Sequence, residues 1–577
     1  MKRKIIRLSG ACALLLASCT NLDPDIYSDM TIDKILDDSE QSSAYLLTPM
    51  YGQMRWFNED RSIWDLTELG TDAWVIPTNS DGGWYDGGIW LRLNNHEWKS
   101  TDPHFSTCWS HLWYGITTCC NRVLHQFEEA GLELDEQTLA EIRAVRAFYY
   151  YYLLSLFGNV PIMETYDVPK DYMPTTRDRK EVYDFVVREL RESMDKLPEE
   201  QRYSRFNKWA AKHLLAKVYL NAESWLGSEY AAKRDSTLIL CNEIIGSTKY
   251  QLDDSFSNIF SLQSETSPEI IFAVPYDETT GSPIFHCIYA KTQHWACKPI
   301  YNAGSGGYNG LRAVPSYVNE TFDATDPDNY NDKRYKQSYC MGQQYDYLTK
   351  QPLYFTDGVT PFNYVNEIAS IDAAREFDGY RFGKYEIKIG QKWETDQDWV
   401  VFRLGETLMM KAECLLRGGD AQGAADIVNE VRKRSFDPSL PQSVRELTAE
   451  QLSAPTVVDG ISVPYGEFLK ELGREFTGEG MRREQLIRWN LYVNGSWTFH
   501  TPKQKKYLEL YPIPSSELLS NINLRQNDGY SYYHRQAARI RDQKHVVPDC
   551  RHISAAGLLV SIRYGDSRSG AAGTGTC

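Results

Sequence analysis

Glu141-Ile-Arg-Ala-Val-Arg-Ala-Phe-Tyr-Tyr-Tyr-Tyr-Leu-Leu-Ser-Leu-Phe-Gly-Asn-Val-Pro161 is the stretch on which the fold turns. With the residues before it, it predicts a helix over 136–157. Arg143 is set among apolar neighbours, and Gly158 supplies the stop. Helical periodicity extends in both directions. It predicts helices over 39–57, with Leu46, Met50 and Met54 at four-residue spacing, and over 105–130, with Trp109, Leu112, Ile116 and Leu124. Further helices are predicted over 179–197, 206–225, 228–246, 401–416, 421–434 and 465–489. Ala210, Ala211, Ala216, Ala222 and Ala412 stand where helices would cross closely. Short polar turns join several helices into pairs of tetratricopeptide-like texture, although no strict 34-residue period survives. The expected class is mainly α, with helix pairs stacked into a scaffold.

Two stretches break the pattern. Residues 250–400 are rich in Gly, Pro, Asn, Asp and Tyr and hold short β-like pieces such as Glu269 to Val274, so they read as an irregular insertion over the scaffold. Residues 71–100 have the same irregular, aromatic character. Residues 39–530 are expected to form a single helical domain. After Tyr530 the acidic balance reverses, with seven Lys/Arg against three Asp/Glu, and the chain ends in Ser-Gly-Ala-Ala-Gly-Thr-Gly-Thr-Cys. Residues 531–577 read as a disordered or out-of-frame tail.

The N-terminus carries an address. Lys2, Arg3, Lys4 and Arg7 precede an apolar run over 11–17 that is too short to span a bilayer and fits a secretory signal over 1–18. It ends in Leu16-Ala17-Ser18-Cys19, a lipobox pattern, so Cys19 is expected to carry the acyl chains and 19–38 to be a tether. No other segment approaches about 20 apolar residues. The 577-residue chain is 42% hydrophobic and 24% charged, ample for a large core, and its net charge of -16 argues against a nucleic-acid partner.

The cysteines show no regular spacing, and Cys414 on a helical face reads as core. Cys287 and Cys297 flank His294, with His286 adjacent; a zinc site and a disulfide-closed loop are both open readings, but the spacing fits no standard metal pattern. The acidic run Asp323-Ala-Thr-Asp-Pro-Asp-Asn-Tyr-Asn-Asp332 offers oxygens of the kind structural calcium takes. It lacks the glycine and terminal glutamate of an EF-hand loop and reads as a solvated turn. No cofactor is implied.

Three further stretches join the first: Arg403-Leu-Gly-Glu-Thr-Leu-Met-Met-Lys-Ala-Glu-Cys-Leu-Leu-Arg-Gly-Gly419, Gly473-Arg-Glu-Phe-Thr-Gly-Glu-Gly-Met-Arg-Arg-Glu-Gln-Leu-Ile-Arg-Trp489, and Tyr511-Pro-Ile-Pro514 with Asn523-Leu-Arg-Gln-Asn-Asp-Gly-Tyr530. Four in order behind a lipobox resemble the SusD/RagB family of nutrient-binding outer-membrane lipoproteins. The resemblance spans nearly all of the mature chain to Tyr530. It implies an α-helical fold and a non-catalytic protein on the cell surface. Such a protein captures an oligosaccharide or polysaccharide and delivers it to a SusC-like TonB-dependent β-barrel transporter. Read on their own, Arg143, Glu406, Glu413, Arg474, Glu479 and Arg482 are helix-to-helix ion pairs rather than catalytic carboxylates.

Sugars present C–H faces that stack on flat aromatics and hydroxyls that need a polar rim. Aromatics on irregular loops are the natural candidates. Asp81-Gly-Gly-Trp-Tyr-Asp-Gly-Gly-Ile-Trp90 sets Trp84, Tyr85 and Trp90 on a glycine-rich loop, with Trp74 and Trp98 flanking. The second region holds His294, Trp295, Tyr301 and Tyr308, the last inside Gly306-Gly-Tyr-Asn-Gly310. Trp84, Trp295 and Tyr308 are the expected ligand contacts, Trp90 and Tyr85 the reserves, and Asp81, Asp86, Asn302 and Asn309 the rim. Three rival readings remain: a peptide or host-glycan binder of the same transporter type, a glycoside hydrolase, which needs two carboxyl groups about the scissile bond, and a purely structural surface subunit whose loops serve the partner barrel. The sequence has no Walker loop, G-x-S-x-G elbow or H-E-x-x-H motif.

Overall fold

The computed structural model describes residues 39–129, 134–279, 289–323, 330–393 and 395–530, with side chains from Leu46 onward. The expected signal peptide, Cys19, tether and C-terminal tail lie outside the described residues, as do His286 and Cys287. The fold is mainly helical, as expected. Its principal helices are α1 (Ser39–Gly52), α2 (Pro103–Tyr114), α3 (Arg122–Glu129), α4 (Glu136–Leu156), α5 (Arg179–Ser193), α6 (Lys208–Leu226), α7 (Lys233–Gly246), α8 (Leu404–Arg417), α9 (Ala421–Arg432), α10 (Gly466–Phe476) and α11 (Arg482–Arg488). Among them α4 packs on α5, α6 on α7, α7 on α8 and α8 on α9.

The caps explain where these helices begin. The Asp135 carboxylate accepts the Thr138 N–H at 2.8 Å to start α4, Asp178 and Glu181 form a capping box on α5, and Asn207 caps α6. From Ile142 to Leu156 α4 is buried on almost every side, as an all-round apolar helix must be. It ends at Gly158, in the left-handed region, whose N–H reaches Leu153 O at 3.0 Å. Arg143 and Arg146 on α4 both grip Glu189 on α5. Glu406 pairs with His213 and Lys217, and Glu413 with Arg417 and Arg488. Arg143, Glu406 and Glu413 are therefore helix-to-helix ties, as the sequence indicates.

Several helix boundaries differ from expectation. The helix expected over 39–57 is α1 followed by a 3-10 turn, Gln53–Asn58, and those over 179–197 and 228–246 are shorter. The helix expected over 105–130 passes through a π-helical segment, Gly115–Asn121. There the Tyr149 ring of α4 approaches within 2.3 Å of where a Cβ on Gly115 would stand. Asn121 turns inward between Arg146 and the Met163 carbonyl. The helix expected over 401–416 starts only at Leu404. Before it, Trp399–Arg403 (β2) pairs antiparallel with Ile270–Val274 (β1), Ile270 opposite Arg403 and Val274 opposite Trp399. Val400, Val401 and Phe402 suit a buried strand better than a first helical turn. The remaining ladders are two-stranded and short.

The helix expected over 465–489 breaks at 477–481 into α10 and α11. Gly478 and Gly480 both take positive φ, and the Phe382 ring lies 2.1 Å from a notional Cβ on Gly478. This turn collects both irregular stretches. Trp64 donates its indole N–H to Gly478 O (2.9 Å), and Glu68 accepts the Gly480 and Met481 N–H groups (2.7 and 3.0 Å). Arg482 pairs with Asp72, and Lys384 bonds the Glu475 carbonyl (2.8 Å) and the Glu479 carboxylate. Burial lifts the Glu68 carboxyl to about 7 against those N–H bonds.

Around the turn lies a buried ionic cluster. Arg403 donates to Glu269 and Glu475, both at 2.9 Å, and to Glu479 at 2.8 Å. Arg434 holds Glu269 and Glu475, and Arg334 holds Asp332, Glu471 and Glu475. Arg432 and Arg474 close on Glu471, and Arg474 also on Glu467. With Lys384 on Glu479, six carboxylates thus face six cations. Burial alone would raise Glu471; Arg334, Arg432 and Arg474 outweigh it and bring its carboxyl to about 2. Asp332, expected in a solvated turn, is buried here against Arg334, and Asp323 ends the helix Pro315–Phe322. Residues 324–329 between them lie outside the described residues.

Replacing Arg403 by Met should destabilise the protein by about 3–5 kcal/mol, because it strands buried carboxylates. Depressed carboxyl pKa values stabilise above the unfolded value of 4.5 and cease to do so as pH falls. The stranded carboxylates of the variant would instead be relieved by protonation. The Tm gap between variant and wild type should therefore be widest near pH 7 and narrow toward pH 4. A gap that does not change with pH would count against the network.

Candidate functional site

The loop after Asn79 and the segment before Leu311 meet face to face. Thr78 and Ser80 donate N–H groups to Ile371 O and Ala374 O (both 2.9 Å), and Asn79 donates to Gly83 O (2.8 Å). Trp84 then adopts a positive φ of 62°, and its indole N–H donates to Tyr308 O at 2.7 Å. Residues 307–311 run close against 290–294: Tyr308 donates to Ala290 O (2.7 Å) and Asn309 to Gln293 O (2.8 Å). The glycines of 306–310 are needed for this approach. A Cβ on Gly307 would meet Gln293 O at 2.1 Å, and one on Gly310 would enter the Trp84 ring at 2.4 Å.

The result is an open cleft of about 570 Å³. Trp84, Trp295 and Tyr308 stand on its wall with Asp60, Arg61, Asn79, Asp81, Asp86 and the backbone of Gly83 and Gly307. All three expected contacts are brought together here, Trp84 from more than two hundred residues before the other two. Tyr308 is 40% exposed and stacks on Trp393, with centroids 5.1 Å apart and planes 23° apart. Trp295 is half-buried over the His294 imidazole at 4.0 Å. The charged groups of the wall are occupied in shaping it. Arg61 pairs with Asp60 (3.2 Å) and Asp86 (3.5 Å), Asp86 accepts the Trp90 indole N–H (2.8 Å), and Asp81 accepts the Gly83 N–H (2.9 Å).

Beneath the wall the groups are fully enclosed. Lys291 bonds both Asp65 oxygens (2.8 and 2.7 Å), and burial lifts the Asp65 carboxyl to about 6 despite that partner. Burial pushes His294 down to about 3, with Arg381 and Arg312 adding to the effect, so its ring is neutral near pH 7; its Nδ1 accepts the Ala296 N–H at 3.0 Å. Arg381 donates to the Asn309 side-chain oxygen (2.7 Å), and Arg312 to the Arg375 carbonyl (3.0 Å).

Other expected site residues lie elsewhere. Trp90 is only 2% exposed and packs edge-on beneath Trp84 at 5.5 Å, a supporting layer rather than an open face. Asn309 is buried with its side-chain oxygen taken by Arg381, which removes it from the rim. Tyr85 is 55% exposed but does not line the cleft, nor does Asn302, which ends the short helix Lys298–Tyr301. Trp74 and Trp98 belong to the core. Trp393, Asp60, Arg61 and Asn79 went unrecognised in the sequence. Trp393 stands alone among polar residues of the irregular stretch, the criterion that selected Trp295.

The cysteines with described placement are free thiols, and burial raises Cys297. Among the described residues no group of His, Cys, Asp and Glu is arranged to hold a metal, and no helix is long and apolar enough to cross a membrane. The cleft therefore offers ring faces at half exposure and a rim of carboxylate oxygens, while the Asn79 amide oxygen is held from below by Arg312. Gly310→Ala should expel the Trp84 indole, since overpacking of this kind costs about 1–3 kcal/mol if the ring stays. Its near-UV circular dichroism difference spectrum should match that of Trp84→Phe; a wild-type spectrum would show that the ring is not seated there.

Comparison with known proteins agrees with this architecture. Residues 28–220 match the family described as starch-binding associating with outer membrane, and residues 268–530 match the SusD family. The starch-binding protein SusD of Bacteroides thetaiotaomicron is 26% identical over 529 residues, covering 82% of this chain and 85% of that protein. Among solved structures, a SusD superfamily protein from Parabacteroides distasonis superposes with a TM-score of 0.66 at 20% identity, covering 85% of this chain and all of that one. A laminarin-binding SusD-like protein superposes with a TM-score of 0.62 at 21% identity, covering 85% and 99%. With the two family models matched in order along one chain and the helical scaffold they describe in place, the protein belongs to the SusD-like family.

Proposed function

We propose that the chain is a non-catalytic glycan-binding protein of the bacterial outer membrane. The observation that carries this reading is the convergence of Trp84, Trp295 and Tyr308 on one open cleft. Half-exposed rings stack on the C–H faces of a sugar while the rim oxygens take its hydroxyls. The starch-binding and laminarin-binding relatives support a glycan as the ligand class. The carboxylates of Asp60, Asp81 and Asp86 are each engaged by a neighbouring donor, which supports capture rather than hydrolysis.

The lipobox at Cys19 supports a lipid anchor, and the outer-membrane association in the name of the matched family supports that location. On this reading the protein faces the cell surface and passes its ligand to a SusC-like TonB-dependent β-barrel transporter.

In affinity electrophoresis against a panel of polysaccharides, one glycan class should retard the protein. The triple variant Trp84→Ala, Trp295→Ala, Tyr308→Ala should migrate as in a glycan-free gel while keeping the wild-type far-UV spectrum. Retardation that survives the triple variant would move the ligand away from this cleft; no retardation by any glycan would favour a peptide ligand. Cys19→Ala should abolish palmitate labelling in the native host and release the protein from the membrane fraction, and persistent labelling would refute the anchor.

A further inference from the structure

Residues 342–364 form a small cap built on a nine-residue spacing. Gln344 donates its N–H to Phe362 O (2.8 Å), Phe362 to Leu353 O (2.9 Å) and Leu353 to Gln344 O (3.0 Å), so the three bond one another in a ring. Three antiparallel pairs extend from it: Gln343 with Asn363, Tyr345 with Pro352, and Tyr354 with Pro361. Paired residues share a face and neighbours along a strand alternate. These six side chains therefore stand on one side, and those of Gln344, Leu353 and Phe362 on the other.

The inner side is core. Phe355 and Phe362 are buried and pack their rings on His294 at 5.1 and 5.3 Å, the imidazole on which Trp295 rests. The Tyr347 N–H donates to Pro299 O at 2.8 Å, tying the cap to the short helix Lys298–Tyr301 that follows Trp295. The outer side is open. Tyr345 is 53% and Tyr354 50% exposed, and Pro352, Pro361 and Asn363 beside them are exposed as well. None of the six outer side chains is charged. The corners are pinned without help from a ligand: Asp346 accepts the Leu348 and Thr349 N–H groups (2.9 and 2.7 Å), and Asp357 those of Val359 and Thr360 (2.9 and 2.8 Å).

An uncharged face of two tyrosines and two prolines, held rigid and turned to solvent, is the kind of patch that marks a contact surface. Its chemistry repeats that of the cleft: ring faces for C–H groups and an amide for hydroxyls. It is joined to the cleft wall through His294 and Pro299. We infer that the outer face of the cap is a second contact surface for glycan, taking a further length of a polysaccharide whose other part lies against Trp84, Trp295 and Tyr308. This rests on the reading of the cleft as a glycan site. The cap makes the protein selective for chain length, because only a long chain reaches both surfaces.

The test compares the full-length wild type with Tyr345→Ala/Tyr354→Ala by calorimetry. The probes are the polysaccharide that retards the wild type most and a short oligosaccharide cut from it. Loss of the two rings should weaken the polysaccharide roughly tenfold, from the usual strength of aromatic contacts. The oligosaccharide should bind unchanged, and Tyr345→Phe/Tyr354→Phe should restore the polysaccharide. The cleft variant Trp84→Ala, Trp295→Ala, Tyr308→Ala should lose the oligosaccharide. Equal polysaccharide affinity with and without the tyrosines overturns the second surface and leaves the cleft reading intact. Equal weakening of both probes also overturns it, by placing the tyrosines in the support of the cleft. A wild-type dimer that Tyr345→Ala/Tyr354→Ala dissociates would assign the face to a second copy of the chain instead. Failure of the wild type to bind any glycan overturns both readings together.

Discussion

Arg403 and the carboxylates around it set the terms for the end of the molecule that carries the cleft. The guanidinium lies between Glu269 at the start of β1 and Glu475 and Glu479 at the α10 break. Charges this deep are tolerated only when each finds its opposite, and here six acids and six bases do so within one cluster. The cluster joins segments from the insertion to helices of the scaffold. The adjacent turn over 477–481, with Arg482 after it, then fastens Trp64, Glu68 and Asp72 on one side and Lys384 on the other. Both irregular stretches are held at one place, so the loops that carry Trp84 and Tyr308 keep a fixed mutual position.

The aromatic residues divide by layer rather than by type. Trp74 and Trp98 are core, Trp90 supports Trp84 from beneath, and Trp84, Trp295 and Tyr308 are the aromatic residues on the cleft wall, with Trp393 stacked on Tyr308. Polar groups divide likewise. Arg312 and Arg381 give their N–H groups to Asn79, Asn309 and loop carbonyls, and so act as organisers of the wall from below. The acids on the wall are fixed to loop N–H groups, to the Trp90 indole or to Arg61, and the rings are left as its open faces.

Much of this was legible in the chain. Helix pairing, the ion pairs of Arg143, Glu406, Glu413, Arg474, Glu479 and Arg482, and the three cleft aromatics follow from periodicity, charge placement and loop composition. The misreadings have a common cause. Local pattern cannot report a contact made by a distant residue: the Tyr149 ring beside Gly115, the Phe382 ring beside Gly478, or the pairing of β2 with β1 that delays α8 to Leu404. Burial within a loop is equally invisible, since Trp84 and Trp90 lie in one glycine-rich run and end on opposite sides of the wall. The nine-residue spacing of the cap also escaped notice, because Gln344, Leu353 and Phe362 share no residue type and are related only by their hydrogen bonds.

The seating of Trp84 has a thermodynamic consequence. Its backbone is in the left-handed region, its indole N–H is held by Tyr308 O, its face rests against Gly310 and its edge against Trp90. The rotameric freedom of this side chain is already lost when the protein folds. A ring that stacks on it meets a surface that has no entropy left to surrender, so association here is governed by desolvation and fit rather than by ordering of the wall.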